Sequence, residues 1–179
     1  MTQIILILPI GPPGSGKTTL SLELKKKYKN LIYISRDLTY KNFRENNGIK
    51  KSRFLTHQYI KNKLESVKEE YRNEKYIIVY VDTTNSNEGI RNLYINYTNP
   101  SYVRYICFKN NSQTKLYNIL EKRVKNRIHP TFKKENTKEI INKIINSIEY
   151  PCDNNTINIT VDDNQNFNSV FSFLSDFSF

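Results

Sequence analysis

The chain has 179 residues, 37% hydrophobic and 25% charged, with 28 basic against 17 acidic side chains and a formal charge of +11. That length suits one compact domain with a proper core, and that balance excludes a disordered chain. Cys107 and Cys152 form no CxxC and exclude a disulfide framework, the histidine pair His57 and His129 argues against a His/Cys metal site, and the opening run "IILILPI" is too short for a bilayer span and lacks the basic segment of a signal peptide, so the reading is an intracellular chain with no membrane partner.

In chain order, "IILIL" (4–8) is the first of four apolar runs rich in β-branched and aromatic residues; the others are "LIYI" (31–34), "YIIVYV" (76–81) and "YVRYICF" (102–108). None alternates with polar residues, which is the pattern of strands covered on both faces of a parallel sheet. A fifth run, "TINITV" (156–161), does alternate and belongs at an edge. Between these runs lie helical patterns. Leu20, Leu24 and Tyr28 recur every fourth residue, and Ile60, Leu64, Val67 and Tyr71 stripe a long helix over about 53–72. Shorter helices are predicted over 87–97 and 113–127, and Ile140, Ile141, Ile144, Ile145 and Ile148 mark another after a capping box of Asn136 and Glu139. "FNSVFSFLSDF" closes the chain as a short helix, and Cys107 reads as an inert buried thiol. Strands alternating with helices give an α/β/α sandwich, without internal repeat or linker, as a single domain over 1–179.

"GPPGSGKTT" lies between the first strand and the first helix: Gly11, Pro12, Pro13, Gly14, Ser15, Gly16, Lys17, Thr18 and Thr19. Gly11, Gly16, Lys17 and Thr18 satisfy G-x-x-x-x-G-K-[ST] in the strand–loop–helix context the motif requires. Backbone N–H groups freed by the glycines turn inward on phosphate oxygens, reinforced by the helix N-terminus. Lys17 would reach the β- and γ-phosphates of ATP, and the Thr18 hydroxyl would help hold Mg²⁺, with Asp82 acting through a bound water. A base-reading N-K-x-D is missing: the nearest string, "NKLE" (62–65), lies inside a helical pattern. After Asp82 come Thr83 and Thr84 rather than a water-polarising acid, so water is not the expected acceptor.

Ligands of an open α/β sheet collect beyond the carboxyl ends of its strands. The second strand ends in "ISRD", which puts Asp37 where a carboxylate takes the proton from an attacking hydroxyl, or where a helix N-cap would stand. The third ends in "VDTTN", where Thr84 and Asn85 offer a hydroxyl and an amide to an acceptor phosphate, or a capping turn. In "QTKLYNILEKRVKNR", Arg123 and Arg127 are four apart and share one helix face, either as cations of a lid over about 113–135 or as a solvated basic face. The net charge has the same two readings: attraction of polyanions, or lysines accumulated through AT-rich coding.

Taken in order, "GPPGSGKTT", "ISRD", "VDTTNSNEGIR", "EKRVKNR", "HP" and "SIEYP" resemble the 5′-hydroxyl polynucleotide kinases, the kinase domain of the bacteriophage end-healing enzyme and its relatives, over essentially the whole chain. The resemblance implies a P-loop kinase with a five-stranded parallel sheet of order 2-3-1-4-5 and a helical lid. It implies ATP and Mg²⁺, a 5′-OH end of DNA or RNA as partner, Asp37 as general base, and Lys17, Arg123 and Arg127 on the migrating phosphoryl group. Arg36, Tyr40, Lys41, Arg44, Asp82, Thr84 and Asn85 are its acceptor-side candidates. One departure concerns the acceptor: the clamping Arg three residues after the base is here Tyr40, so Lys41 or Arg44 substitutes or Tyr40 stacks on a base. Neither a D-x-D-x-T phosphatase nor a K-x-D-G ligase signature is present. A small-molecule kinase on the same scaffold, and a catalytically silent binding module, are the other two readings.

Overall fold

The computed structural model describes residues 2–125 and 137–175. Five strands form one parallel sheet: β1 (Gln3–Ile10), β2 (Leu31–Ser35), β3 (Tyr76–Asp82), β4 (Tyr102–Lys109) and β5 (Thr156–Thr160). Their spatial order is β2-β3-β1-β4-β5, as the resemblance implied. Seven helices are described: α1 (Lys17–Lys27), α2 (Arg36–Arg44), α3 (Ile49–Glu70), α4 (Glu88–Thr98), α5 (Gln113–Lys125), α6 (Thr137–Ser147) and α7 (Asn168–Ser175). Two layers of helix cover the sheet, which is the three-layer P-loop kinase architecture. Among the described residues no helix is long and apolar enough to cross a membrane.

The unbroken apolar strands have the predicted cause. Along β1, Ile5 and Ile7 pack with Leu20 and Leu24 of α1, Leu120 of α5 and Val170 of α7. The alternate residues Ile4, Leu6 and Leu8 pack with Ile60, Leu64 and Val67 of α3 and Tyr94 of α4. Each such side chain removed from water contributes about 1.5–3 kcal/mol, so the central strands tolerate polar residues on neither face. β5 is an edge strand with only Ile159 buried along its length, in keeping with its alternation. Cys107 is buried on β4, and loss of solvation pushes its thiol up to about 12.

Two helix expectations change. α3 begins at Ile49, earlier than the apolar stripe indicates, and a separate helix, α2, precedes it. α2 opens directly from β2 because Ser35, in extended conformation, accepts a hydrogen bond from the Leu38 N–H at 3.3 Å. Ser35 is thus the cap, and Asp37 sits in the first helical turn with its carboxylate at the positive end of α2. Asn87 caps α4 in the same way, accepting from the Ile90 N–H at 2.9 Å. Arg127, His129, Asn136 and the lid residues 126–135 lie outside the described residues.

Candidate active site

The loop from Gly11 to Gly16 leaves β1 and opens α1. Gly14 and Gly16 have φ of 81° and 105°, a region that side chains with a Cβ rarely enter. At Gly11 the constraint is proximity: a Cβ would stand 2.7 Å from Phe108 Cβ and 2.9 Å from Ser15 Oγ. Ser15 is fully buried, and its Oγ has no hydrogen-bond partner among the described residues. Lys17 turns back into the loop, and its ammonium donates to the carbonyls of Gly11 and Pro12, both at 2.8 Å. Burial lowers its pKa to about 8, against the opposing pull of Asp82 and Asp37. A buried cation at the base of the loop and an unpaired buried hydroxyl beside it suit a polyphosphate.

Register places the carboxylates. Ser35 of β2 pairs with Asp82 of β3, and Tyr33 pairs with Tyr80, so all four side chains rise on the α1 face of the sheet. Asp82 Oδ2 accepts from Thr18 Oγ1 and from the Tyr33 hydroxyl, each at 2.7 Å. Tyr80 donates to the Lys17 carbonyl at 2.7 Å and ties the first turn of α1 to the sheet. Desolvation, and secondarily the Asp82 charge, raises the pKa of Tyr33, keeping it a neutral donor. Among the described residues there is no cluster of three or more His, Cys, Asp or Glu able to hold a metal unaided. One carboxylate beside one hydroxyl at a phosphate loop nevertheless fits Mg²⁺, which takes few protein oxygens and completes its shell with phosphates and water.

A cavity of about 250 Å³ gathers Gly14, Gly16, Lys17, Thr18, Thr19, Tyr33, Arg36, Asp37, Asp82, Thr83, Thr84 and Val124 along its wall. A second, of about 320 Å³, meets it at Arg36, Thr83 and Thr84 and runs on past Ile90, Leu93 and Tyr94 of α4. The structure therefore brings together Lys17, Thr18, Asp37, Asp82, Arg36 and Thr84. Tyr33, Thr83 and Val124 join them without having been singled out from the sequence.

Five expected acceptor or lid residues are placed otherwise. Asn85, at φ 49°, is fully buried; its amide donates to the carbonyls of Pro9 at 2.7 Å and Val81 at 3.2 Å, leaving no exposed amide for an acceptor. Tyr40, Lys41 and Arg44 line neither cavity, because the chain turns into α2 at Arg36 and carries them along the helix; Arg44 donates to the Asn47 carbonyl at 2.8 Å. Arg123 is drawn to the loop itself: it donates to the Gly14 carbonyl and to Gln165 Oε1, both at 3.2 Å, and to the Asp162 carbonyl. Gln165, which the sequence reading passed over, donates in turn to the Ser15 carbonyl at 2.8 Å.

"SIEYP" also has a mechanical place. Glu149 accepts from the Glu88 N–H at the start of α4 and donates its own N–H to the Ser86 carbonyl at 2.7 Å. The buried Arg91 donates to the carbonyls of Asn85 at 3.1 Å and Glu149 at 2.8 Å, so the segment after α6 is latched to the β3–α4 turn.

Known structures share this architecture. The fold is similar to that of a fungal RNA kinase (TM-score 0.63, 17% identity, covering 93% of this chain and 80% of that one). It is also similar to Chaetomium thermophilum Kti12 in complex with ADP-AlF3 (TM-score 0.61, 17% identity, 98% and 97% covered). A gluconokinase from Sinorhizobium meliloti 1021 matches with TM-score 0.56 and 15% identity, covering 96% of this chain and 88% of that one. At these identities the likeness is one of fold. No curated protein matches the chain by sequence. A family model described as an AAA domain matches residues 6–149, most of the sequence, from within β1 to the Glu149 latch, and the chain belongs to that family.

Proposed function

We propose that this chain is a phosphotransferase that moves the γ-phosphate of ATP to the 5′-hydroxyl end of a DNA or RNA strand. The observation that carries the reading is the shared cavity in which Asp37 and Lys17 face one space that continues, past Arg36 and Thr84, into a second cavity long enough to admit more than a reacting hydroxyl. The +11 charge supports a polyanionic acceptor. In this reading Asp37 takes the proton of the 5′-hydroxyl as its oxygen bonds to the γ-phosphorus. The bond from that phosphorus to the β–γ bridging oxygen breaks, and ADP leaves with the electron pair. Lys17 and, as the resemblance implies, Arg127 are assigned to the charge on the migrating group, Arg123 to holding the phosphate loop at Gly14, and Arg36 and Thr84 to the acceptor side. Thr18 and Asp82 would hold Mg²⁺, which when bound neutralises charge on the phosphate oxygens.

The test is transfer from γ-labelled ATP to a panel of 5′-OH DNA, 5′-OH RNA, nucleosides and sugars. Transfer to the oligonucleotides, weakening steeply with added salt, is the expected result. Transfer confined to a sugar or nucleoside, with little salt dependence, would establish the small-molecule reading to which the gluconokinase-like fold also belongs. Asp37→Asn is expected to lower turnover by about 10²–10⁴-fold, the usual worth of a general base, while the protein stays folded.

A further inference from the structure

His57 lines the second cavity without a role above, and Tyr97 and Lys61 stand beside it. His57, exposed on α3, meets the ring of Tyr97 on α4 edge-on, with centroids 6.1 Å apart at 68°. The Tyr97 hydroxyl lies 3.5 Å from His57 Nε2. One turn further along α3, the Lys61 ammonium stands 5.6 Å from the centroid of the Tyr97 ring, and its carboxylate neighbour Glu65 is 3.8 Å away. Leu93, 43% exposed, completes an apolar floor beside the pair. Aromatic faces beside cations that can follow a backbone are the elements with which proteins hold single-stranded nucleic acid. The cavity that His57 and Leu93 line meets the reacting cavity at Arg36, Thr83 and Thr84.

Resting on the function proposed above, we infer that the His57–Tyr97 pair is a stacking platform for the second base of a single-stranded acceptor, counted from the reacting 5′ end, with Arg36 and Lys61 along its phosphates. The 5′-hydroxyl must reach Asp37, so the first nucleotide lies where the two cavities meet, at Arg36 and Thr84, and the next base emerges at the wall formed by His57. The platform takes any base, since stacking reads a ring face and not a hydrogen-bonding edge.

A 5′-OH oligonucleotide with 2-aminopurine at its second position tests this, read by fluorescence on binding and by phosphate transfer alongside a nucleoside 3′-monophosphate. The wild type is expected to quench the probe. His57→Ala is expected to abolish the quenching and to raise KM for the oligonucleotide about tenfold, with the monophosphate unaffected, and His57→Phe to restore both. Undiminished quenching in His57→Ala, or equal losses on both acceptors, would overturn the platform, as would a wild type that transfers phosphate without quenching. A wild type that binds and quenches but transfers nothing refutes the proposed activity and leaves the platform standing; neither binding nor transfer overturns both.

Discussion

Lys17 offers a measurement that needs no ligand. Burial brings its pKa from the ordinary 10.5 down to about 8, so between these values the unfolded chain holds a proton that the folded one has released. Stability rises with pH wherever the unfolded state binds more protons, so the cost of the buried ammonium is full below pH 8 and is relieved as pH climbs toward 10.5. Applied to one group with these two pKa values, linkage gives a gain of about 1.8 kcal/mol between about pH 7.5 and about pH 9.5. The assay is urea unfolding across that range without nucleotide, comparing the wild type with Lys17→Met, which keeps the side-chain bulk and removes the titration. The difference between the two free energies should shift by that amount in favour of the wild type as pH rises. Parallel profiles would refute the argument, because the lysine would then be solvated and not held against the Gly11 and Pro12 carbonyls. In the presence of ATP the slope should flatten, since the polyphosphate supplies further counter-charge.

Other predictions concern the parts that hold the site in place. Gly14→Ala forces a Cβ into φ 81° and within 3.1 Å of Val124, and should cost about 1–2 kcal/mol in urea unfolding. Ser35→Ala removes the cap of α2, with a loss of about 1 kcal/mol. In transfer assays the same variant should lower kcat with KM for ATP unchanged, because the turn carrying Asp37 frays while the phosphate loop does not. An unaltered kcat would show that Asp37 is positioned independently of the cap. Arg91→Met strips the buried donors from the Asn85 and Glu149 carbonyls and should destabilise by about 2–4 kcal/mol, measured by chemical denaturation.

The sheet and the phosphate loop were legible because their causes are local. β1 and β3 are covered on both faces, so their apolar runs betray them, and the glycines and Lys17 act within a few residues of one another. α2 was hidden because none of its nine residues is buried and "RDLTYKNFR" has no apolar stripe; only Ser35 at the end of β2 announces it. Tyr40, Lys41 and Arg44 were placed at the acceptor by the resemblance, and the helix carries them away from both cavities. Asn85 reads as a free polar side chain after two threonines. Its burial is created by the end of β1, 76 residues away, whose carbonyl requires a donor. Gln165 is 150 residues from the Ser15 carbonyl it holds, in a polar stretch with no periodicity, and no short-range signal could have found it.

The partition at Arg36, Thr83 and Thr84 has an evolutionary corollary. The inner cavity is lined chiefly by the β1–α1 loop with the first turn of α1, the tips of β2 and β3 and the start of α2, while the outer chamber is furnished largely by α3, α4 and α6. Surface changes on those three helices can therefore re-tailor what is phosphorylated without disturbing how, and a lineage of such domains can diversify its clientele while its chemistry stands still.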